Sequence, residues 1–445
     1  MNLKNKKVLI LGFSTTGTAA AKYFVSKGCD TYISESAEMA QKQAPAVEEL
    51  KKQGVKIEFN GHSDDFIKNA QFAILSPSIP TDAEILKRLE KEGIEYFSDI
   101  EYVSKTDKDK IVLITGTNGK TTTTALVSHI LSQKYFAPYC GNIGISPIEY
   151  LDKGVDYYAI EASSFQLYYS PSLAPKIGIF TNLTPDHILW HKTLDNYFEA
   201  KAKPFRNMNE DDFAILNYDD EKVRSLGSEI KAQVYYFSLD KQNVQNQAYL
   251  KDNKIFFNNE EIIDVNELQI VGSHNIQNAM CALIAAKILK LDNETIKNAL
   301  KSFKAIEHRL EYIRTIEGTS YYNDSKATNP EASIVAINSF ENQKVVLIAG
   351  GRDKKTSLKD FIKAVKERIS KVVLIGEATQ RFKDELSGDN YMNIVNSKTL
   401  EEAIDIASLD KPDVVLLSPA CASFDMFDSY EQRGEVFRNY VLSKK

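Results

Sequence analysis

The sequence predicts a protein of three consecutive α/β domains. Short apolar runs with the length of buried strands alternate with amphipathic helical patterns, which is typical of parallel sheets covered by helices. The chain has 445 residues, of which 43% are hydrophobic. Since a single hydrophobic core stops growing beyond roughly 250–300 residues, a chain of this length is expected to form about three cores.

The first ninety-odd residues are predicted to form a Rossmann-like domain, with strands at 8–11, 31–34, 56–59 and 72–75. The turn from Gly12 to Gly17 is similar to the glycine-rich dinucleotide fingerprint, with Ser14 at the middle glycine. Glu35 follows the second strand, where an acid binds ribose in such domains. Two interpretations stay open, a plain strand-to-helix turn or a site for a nucleotide diphosphate. Ser14 makes a complete dinucleotide less favourable.

A polar stretch at 104–110 is predicted to be a linker, and the most informative segment follows it. Residues 111–122, IVLITGTNGKTT, place an apolar strand, a glycine turn, a lysine and two hydroxyls directly before a helix. Backbone N–H groups of such a loop bind phosphate, Lys120 can meet the β and γ phosphates, and Thr121 can bind Mg²⁺. The loop reads G-x-x-G-K-T, two residues shorter than the common P-loop. A glycine turn with a chance Lys-Thr pair is the alternative.

The central segment is predicted to be a P-loop ATPase-type α/β domain, and a third, Rossmann-like domain follows it. The predicted elements of the central domain are strands at 157–160, 177–181 and 213–216, a hairpin around 252–253 and a helix at 275–289. The third domain begins near Phe303 and has strands at 345–349, 372–375 and 414–417. Ligands bind outside the carboxyl ends of parallel strands. The loops 350–354 and 418–423 are therefore candidate walls of a site.

Two side chains in the central domain are candidate metal ligands. Glu161 ends a predicted strand, and His187 lies in the loop that follows the next strand. A lone Glu or His at a strand end is usually solvated or hydrogen-bonded. However, both follow strands of the domain that owns the phosphate loop, so all three loops should open at one sheet edge, where a carboxylate can join Mg²⁺. His191 is expected in an exposed or packing position.

Composition excludes several classes of protein. The formal net charge of −6 argues against a nucleic-acid binder, which would show a basic face. No apolar run approaches the length of a signal-peptide core or a membrane span, so we expect a cytoplasmic protein without membrane partners. The four cysteines are scattered and show no C-x-x-C spacing, which argues against a disulfide framework or a zinc site.

A set of motifs in order along nearly the whole chain resembles the Mur ligase family of ATP-dependent amide-bond-forming enzymes. These motifs are GTNGKTT at 116–122, GNIG at 141–144, EASSFQL at 161–167, TN at 181–182, DH at 186–187, YFEAK at 197–201, HNIQN at 274–278, HR at 308–309 and NDSKATN at 323–329. Within the family, four segments are most similar to the D-glutamate-adding members: 163–167, 350–354, 418–423 and 430–434.

The resemblance implies a role for each matching residue. The implied ATP-binding residues are Gly116, Thr117, Asn118, Gly119, Lys120, Thr121, Thr122, Asn275, Asn278, Arg309 and Asp324. The implied residues for the UDP-sugar are Thr15, Thr16, Glu35 and Asn142. Those for the incoming amino acid are Lys326, Thr328, Lys354, Ser423, Phe424 and Tyr430. The implied catalytic residues are Lys120, His187 and Lys201, and the ligands of two Mg²⁺ ions are Thr121, Glu161, His187 and Lys201.

Lys201 can be a metal ligand only after modification, because an ammonium group has donors alone. In the family this lysine carries CO₂ as a carbamate; without the resemblance, Lys201 would be interpreted as a solvated surface lysine. Two positions depart from the family pattern. Ser78 stands where a glycine is expected, and Glu35 replaces an aspartate.

The resemblance implies the substrates UDP-N-acetylmuramoyl-L-alanine, D-glutamate and ATP, and a monomeric enzyme with domains at 1–98, 99–304 and 305–445. Other Mur ligases or a folylpolyglutamate synthase would share the ATP loop. The nucleotide-sugar domain before Gly116 disfavours the folate enzyme, and the absence of an Asp-Asn-Pro-Arg motif disfavours the diamino-acid enzyme. A nucleotide-sugar sensor that hydrolyses ATP slowly is an alternative outside the class, but it would not need Glu161, His187 and Lys201 together.

Overall fold

The computed structural model describes residues 3–340 and 342–444. Within these residues the strands form three separate sheets, each with helices packed against it. The chain divides into two compact units. One consists of Met1–Val265 and Gln277–Leu300 and contains the first two sheets, and the other consists of Asn266–Ile276 and Lys301–Lys445 and contains the third.

The first sheet is parallel throughout, in the strand order β3-β2-β1-β4-β5. Its central strands are buried on both faces, which explains their continuous apolar sequence. The strands are β1 (Lys7–Leu11), β2 (Asp30–Ser34), β3 (Lys56–Glu58), β4 (Phe72–Leu75) and β5 (Glu95–Phe97). The helices are α1 (Thr15–Ser26), α2 (Ala44–Lys52), α3 (Asp64–Ile67), α4 (Glu84–Lys91) and α5 (Asp99–Asp107).

The second sheet has the order β14-β13-β12-β11-β10-β9-β6-β8-β7 and is parallel from β12 to β7. Its strands are β6 (Ile111–Thr115), β7 (Tyr139–Gly141), β8 (Tyr158–Glu161), β9 (Ile177–Phe180), β10 (Phe213–Asn217), β11 (Gln233–Ser238), β12 (Gln247–Lys251), β13 (Lys254–Phe257) and β14 (Glu260–Asp264). The helices are α6 (Lys120–Leu131), α7 (Ser164–Tyr168), α8 (Ile188–His191), α9 (Leu194–Arg206), α10 (Glu221–Ser225), α11 (Ser273–Ile288) and α12 (Asn293–Ser302).

The third sheet has the order β15-β16-β20-β17-β18-β19, with only the β15–β16 hairpin antiparallel among its described pairs. The strands are β15 (Glu311–Ile316), β16 (Thr319–Asn323), β17 (Val345–Gly350), β18 (Ile369–Ile375), β19 (Ile394–Asn396) and β20 (Val414–Leu417). The helices are α13 (Pro330–Ile337), α14 (Lys359–Arg368), α15 (Thr379–Gly388), α16 (Leu400–Ser408) and α17 (Tyr430–Ser443).

The α/β class and most predicted strands are confirmed, including the antiparallel hairpin at 252–253. Both of its turn residues have positive φ, as a tight hairpin turn requires. The domain limits at 98 and 304 remain predictions. The structure adds segment 266–276, which groups with the C-terminal unit although it precedes α12 in the chain.

The predicted linker at 104–110 is wrong. Residues 104–107 are the last turn of α5, and a 3-10 turn at 108–110 continues directly into β6. Ser98 caps α5 by accepting from the N–H of Glu101, and the helix buries Ile100 and Val103. Four of the seven polar residues at 104–110 are exposed, two on α5 and two in the 3-10 turn.

The strands β11 and β14, the β15–β16 hairpin and the short strands β5, β7 and β19 were not predicted. The three short strands have only three residues each, too few to show a period. In the part of the chain that the structure describes, no helix combines the length and apolar character needed to cross a membrane.

Candidate active site

The loop between β6 and α6 depends on two glycines with left-handed backbone conformations. Gly116 has a φ of +141°, and Gly119, which caps α6, has a φ of +82°. A Cβ on Gly116 would collide with the Thr181 side chain, and one on Gly119 would lie 2.5 Å from Oδ1 of Asn278. The loop therefore needs glycine for both its conformation and its space.

The loop is held from the end of the neighbouring strand β9. Asn182 accepts the N–H of Thr117 through its carbonyl (2.9 Å) and the N–H of Asn118 through its side-chain oxygen (2.9 Å). Lys120 folds back over the loop, where its Nζ donates to the carbonyls of Gly116 (3.1 Å) and Thr117 (2.7 Å). The amine is thus placed on the loop that follows β6.

The three loops predicted to share one sheet edge do so. Strand β6 pairs in parallel with β8 on one side and β9 on the other, so their carboxyl ends coincide. Glu161 ends β8, is 3% exposed, and accepts through Oε1 from Nδ2 of Asn142 at 2.8 Å. Among the described residues, its other oxygen, Oε2, is buried and has no hydrogen-bond partner. A carboxylate oxygen in this state is suited to a cation.

His187 lies at the start of α8 in a left-handed conformation, with a φ of +53°. Its ring packs on Phe165, with centroids 4.8 Å apart, and its Nε2 lies 3.5 Å from Oδ2 of Asp186. Burial lowers the pKa of His187, with Lys120 and Lys201 adding to the effect and Asp186 opposing it. A neutral imidazole is the form that binds a metal.

His191 is a packing residue, one of the two positions expected for it. Its Nε2 lies 2.9 Å from the Ser164 hydroxyl, and its ring stacks on Phe165. Burial lowers its pKa to about 4, so the ring is neutral near pH 7.

Lys201 is buried inside the sheet edge, with 1% of its surface exposed. It lies on α9, and its Nζ donates to the carbonyl of Gly116 (2.7 Å) and to Oγ1 of Thr115 (3.4 Å). Burial lowers the pKa of Lys201 well below its ordinary value, and the charge on Lys120 lowers it further. The interpretation as a solvated surface lysine is therefore wrong, because the helix pattern alone does not show what α9 packs against.

Four further nucleotide candidates lie along two helices. Thr121 is buried and Thr122 is half-buried in the first turn of α6. Asn278 on α11 accepts from Oγ1 of Thr123 at 3.0 Å, which places it beside the phosphate loop. Asn275 lies one turn earlier, where its Nδ2 donates to the carbonyl of Val271 at 2.8 Å.

The candidate sugar-nucleotide residues surround the turn after β1. Thr15 and Thr16 open α1, and the Ser14 hydroxyl caps this helix and lies 2.6 Å from the hydroxyl of Ser76. Glu35 accepts the backbone N–H groups of Phe13 and Ala37, both within 2.9 Å. Although burial raises the pKa of Glu35, these N–H groups lower it overall.

The candidate amino-acid residues lie in loops that meet at one edge of the third sheet. Strands β16, β20 and β17 are adjacent and parallel, so the loops carrying Lys326, Ser423 and Lys354 leave from the same edge. The N–H of Arg352 donates to the carbonyl of Ala422 at 2.8 Å, which joins two of these loops. The other candidates are half-buried Thr328, exposed Phe424, and Tyr430, whose ring centroid lies 5.2 Å from Nζ of Lys326.

Arg433 connects these loops through hydrogen bonds of its buried side chain. Its guanidinium is fully buried and donates to the hydroxyl and carbonyl of Ser325 and to the carbonyls of Cys421 and Ala422. Burial lowers its pKa to about 10. One side chain thus ties the loop after β16 to the loop after β20.

Asp324 is buried at the same edge. It accepts from the N–H of Leu310 at 3.1 Å and from the hydroxyl of Ser418 at 2.8 Å. Burial raises its pKa to about 7. Arg309 precedes Leu310 in a turn where both His308 and Leu310 have positive φ.

No group of three or more His, Cys, Asp or Glu side chains within residues 3–340 and 342–444 is arranged to hold a metal. The implied ligand set contains only two such residues, Glu161 and His187. Thr121 and a modified Lys201 would supply the rest.

Three parts of the chain match domains of one family. Residues 6–98 match the Mur ligase MurD-like N-terminal domain, residues 114–286 the Mur ligase middle domain, and residues 308–421 the Mur ligase glutamate ligase domain. Among curated proteins, the chain is 38% identical to the UDP-N-acetylmuramoylalanine–D-glutamate ligase of Thermoanaerobacter pseudethanolicus, over 99% of each chain. It is 36% identical to the ligase of the same name from Koribacter versatilis, over 99% of this chain and 98% of that one.

Solved structures of related ligases share the fold. The UDP-N-acetylmuramate-alanine ligase MurC of Thermotoga maritima superposes with a TM-score of 0.61 and 21% identity, over 99% of this chain and 100% of that one. A pseudomurein peptide ligase type C from Methanothermus fervidus gives a TM-score of 0.57 and 21% identity over the same shares. The fold and the phosphate loop define a nucleotide-using ligase of three α/β domains. This chain belongs to the Mur ligase family and is an ATP-dependent amide-bond-forming enzyme.

Sequence reasoning assigned no role to three residues that organise the site. Asn182 and Arg433 lie inside the quoted motifs, but no local pattern shows that they brace a loop. For Gln166, the sequence did contain a local signal of its role. Its spacing from Ser163 matches the capping box S-x-x-Q, and the structure contains that box at the start of α7.

Proposed function

We propose that this protein joins D-glutamate to UDP-N-acetylmuramoyl-L-alanine, with conversion of ATP to ADP and phosphate. The observation that carries the proposal is similarity at 36–38% identity, over nearly the full length of both chains, to relatives named for this ligation. The reaction belongs to the assembly of the peptidoglycan precursor.

The phosphate loop would bind the nucleotide. Its glycines allow a close approach of backbone to phosphate, the start of α6 supplies the positive end of a helix dipole, and Lys120 supplies a cation. Asn278 beside the loop, with Asn275, would contact the adenine side. Arg309 and Asp324 of the second unit would bind phosphate and ribose.

The side chains at this sheet edge are suited to bind Mg²⁺, and the carboxylate of Glu161 is the main support for this. Its buried Oε2 lacks a partner among the described residues, and Thr121 lies buried at the start of α6 on the adjacent loop. These two would hold the first ion, and His187 with modified Lys201 would hold the second. Bound Mg²⁺ would offset phosphate charge and orient the γ-phosphoryl group.

Carbamylation of Lys201 is supported by its burial. Only a neutral amine can attack CO₂, and burial together with the charge of Lys120 favours the neutral amine. The nitrogen of the neutral amine bonds to the carbon of CO₂ and releases one proton, which turns the neutral amine into an anion with two oxygens. Such an anion is a suitable Mg²⁺ ligand.

The substrates would bind at separate sheet edges. Thr15, Thr16, Glu35 and Asn142 would bind the UDP-sugar. In the second unit, Lys326 and Lys354 would bind the carboxylates of D-glutamate, together with Thr328, Ser423, Phe424 and Tyr430.

The chemistry proceeds in two steps. The terminal carboxylate of the alanyl group attacks the γ-phosphorus of ATP, and the bond from that phosphorus to the β–γ bridging oxygen breaks. The products of this step are ADP and an acyl phosphate. The amine of D-glutamate then attacks the acyl carbon, loses a proton, and the tetrahedral intermediate collapses with release of phosphate. Lys120 balances charge on the transferred group.

The test is ADP release by the purified protein with Mg²⁺, ATP and UDP-N-acetylmuramoyl-L-alanine. D-glutamate is compared with L-alanine, L-lysine, meso-diaminopimelate and no amino acid. Release that requires both the sugar peptide and D-glutamate is expected. Release with another amino acid would overturn the substrate assignment, and equal release with none would favour the nucleotide-sugar sensor.

Lys120→Ala is the matched inactive variant, expected to fold but not to turn over. Appreciable activity in it would remove the phosphate loop from the mechanism. A cytoplasmic location and a monomeric state remain predictions, and size-exclusion chromatography with light scattering tests the second.

A further inference from the structure

The first turn of α5 buries two acidic side chains. Asp99 and Glu101 are both 0% exposed. Burial of a carboxylate is costly unless its oxygens are well hydrogen-bonded, and neither takes part in an ion pair in the described part of the chain. Burial raises the pKa of Asp99. Two such residues in one turn need an explanation.

The carboxylate of Asp99 accepts two hydrogen bonds, one of them from a distant segment. Its Oδ2 accepts from the hydroxyl of Ser146 at 2.7 Å, and its Oδ1 accepts from the N–H of Ile100 at 3.0 Å. The side-chain amide of Gln166 is close enough to favour the charged form of Asp99 and so to oppose the rise in its pKa. The oxygen of that amide accepts from the N–H (3.1 Å) and hydroxyl (3.0 Å) of Ser163.

Ser146 and Gln166, the two residues near the Asp99 carboxylate, belong to the segments that flank Glu161. Ser146 closes the loop that begins at Asn142, and Asn142 donates its side-chain N–H to Oε1 of Glu161 and its backbone N–H to the Glu161 carbonyl, both at 2.8 Å. Ser163 follows Glu161 by two residues and starts α7. Asp99 is therefore hydrogen-bonded to the segment on one side of the candidate metal ligand and interacts electrostatically with Gln166 of α7 on the other side.

Glu101 differs in this respect. Its carboxylate accepts from the N–H and hydroxyl of Ser172, which lies beyond the end of α7. It has the same burial and the same helix turn as Asp99 but a partner eleven residues along the chain from Glu161. The chain thus supplies its own control for the burial of an acid.

We propose that Asp99 is a positioning residue that holds the Asn142–Ser146 loop and the start of α7 so that Glu161 presents its partnerless oxygen to Mg²⁺. The inference rests on the proposed function for its metal and substrate. A carboxylate suits the role because it only accepts hydrogen bonds and can take several donors at once. An asparagine at this position would point the two N–H bonds of its amide toward groups that already donate hydrogen bonds.

The test compares three variants of the full chain: Asp99→Asn, Glu101→Gln, and the double variant Asp99→Asn/Gln166→Glu. The double variant reverses the polarity of the pair, so that the new carboxylate accepts from the new amide and from Ser163. Removal of a group that orients a metal ligand typically costs about 10–100-fold in activity or metal affinity. For Asp99→Asn we expect kcat to fall by this factor and the Mg²⁺ concentration for half-maximal rate to rise by it. Glu101→Gln should change both quantities by no more than about twofold. The double variant should recover about tenfold of the loss.

Melting temperature separates positioning from stability. If both single variants lose the same activity at the same melting temperature, or if Asp99→Asn keeps the Mg²⁺ dependence of the wild type, the inference is overturned. Should Asp99→Asn fail to fold, Gln166→Glu alone provides the test, since it sets two carboxylates against each other. It must show the Mg²⁺ shift, and pairing it with Asp99→Asn must reverse that shift.

The proposed function can fail independently. If the wild type shows no D-glutamate-dependent release of ADP, that function is wrong. The Mg²⁺ dependence of ATP binding, measured by calorimetry on the same proteins, still tests the role of Asp99. An unshifted dependence in Asp99→Asn overturns it.

Discussion

Lys201 is the residue whose character depends most on its surroundings. In the sequence it is one of 55 Lys and Arg side chains, but in the fold it is buried against the carbonyl of Gly116. Burial removes the water that would stabilise an ammonium group, which is why its pKa falls. Its neighbour on the same helix, Lys203, is half-exposed.

Lys201→Ala is expected to be inactive, because it removes the group that would carry the carbamate. Short-chain carboxylic acids added at millimolar concentrations should restore part of the rate by supplying a carboxylate in the vacated space. Steady-state ADP release with and without acetate or propionate measures this. Lys203→Ala is the control and should retain its rate without added acid; absence of rescue in Lys201→Ala would count against the carbamate.

Asp324 makes the stability of the second unit depend on pH. Its folded pKa of about 7 exceeds its ordinary value of 3.8, so between these values the folded protein binds a proton that the unfolded chain has released. Its contribution to stability is therefore full below pH 3.8 and is lost as the pH rises through 7. The full change is at most about 4 kcal/mol for a shift of this size.

Asp324→Asn should remove that dependence. The melting temperature of the wild type relative to the variant, measured without nucleotide from pH 4.5 to 8, is expected to fall as the pH rises. A constant difference across this range would show that Asp324 does not titrate in it.

At the scale of elements, the β6–α6 loop joins a strand, two glycines and the N-terminus of a helix into one proposed phosphate site. Gly119 and Gly154 form a useful pair because both have positive φ, +82° and +70°. A Cβ on Gly154 would meet nothing within 4 Å, whereas one on Gly119 would press on Asn278. Their comparison separates the conformational cost of a side chain from its steric effect.

Gly119→Ala is expected to weaken ATP binding by tenfold or more, since the added methyl group must displace Asn278 or the loop. Gly154→Ala should keep ATP affinity within about twofold, while both variants lose about 1–2 kcal/mol of stability from the left-handed conformation. Calorimetric titration with ATP and Mg²⁺ and thermal unfolding give the two quantities. Equal ATP affinities in the two variants would contradict the steric argument.

At the scale of the whole molecule, the proposed substrate contacts divide between the two compact units. The sugar-nucleotide candidates lie in the unit that contains the first two sheets, and the amino-acid candidates lie in the other. Variants in each unit should therefore affect different substrates.

Lys354→Ala is expected to raise the KM for D-glutamate by about 10–100-fold, the range for a lost charge-assisted hydrogen bond of about 1.5–3 kcal/mol, and to leave the KM for the sugar peptide within about twofold. Thr16→Val should give the opposite pattern. Lys355→Ala, at the exposed neighbouring position, is the control. A rise in both KM values for either substitution would refute this division.

Much of this protein could be predicted from the sequence because strands, glycine turns and helix starts are local. Residues 111–122 specify a strand, a phosphate-type turn and a helix by their own chemistry, and the parallel class follows from strands that alternate with helices. The same local logic placed Glu161 and the loops after β17 and β20 at strand ends, where the structure has them. The sequence motifs likewise indicated the Mur ligase family.

Tertiary structure decided what the local pattern could not contain. Burial lowers the pKa of Lys201, and packing shows that 104–107 are helix. The fold also places Asp99, Asn182 and Arg433 in hydrogen bonds with loops of the candidate site. The physical reason is that pKa values, hydrogen-bond partners and the polarity of a surrounding are set by segments distant in the chain. Conformation at a turn is largely local, whereas the environment of a side chain depends on the whole fold.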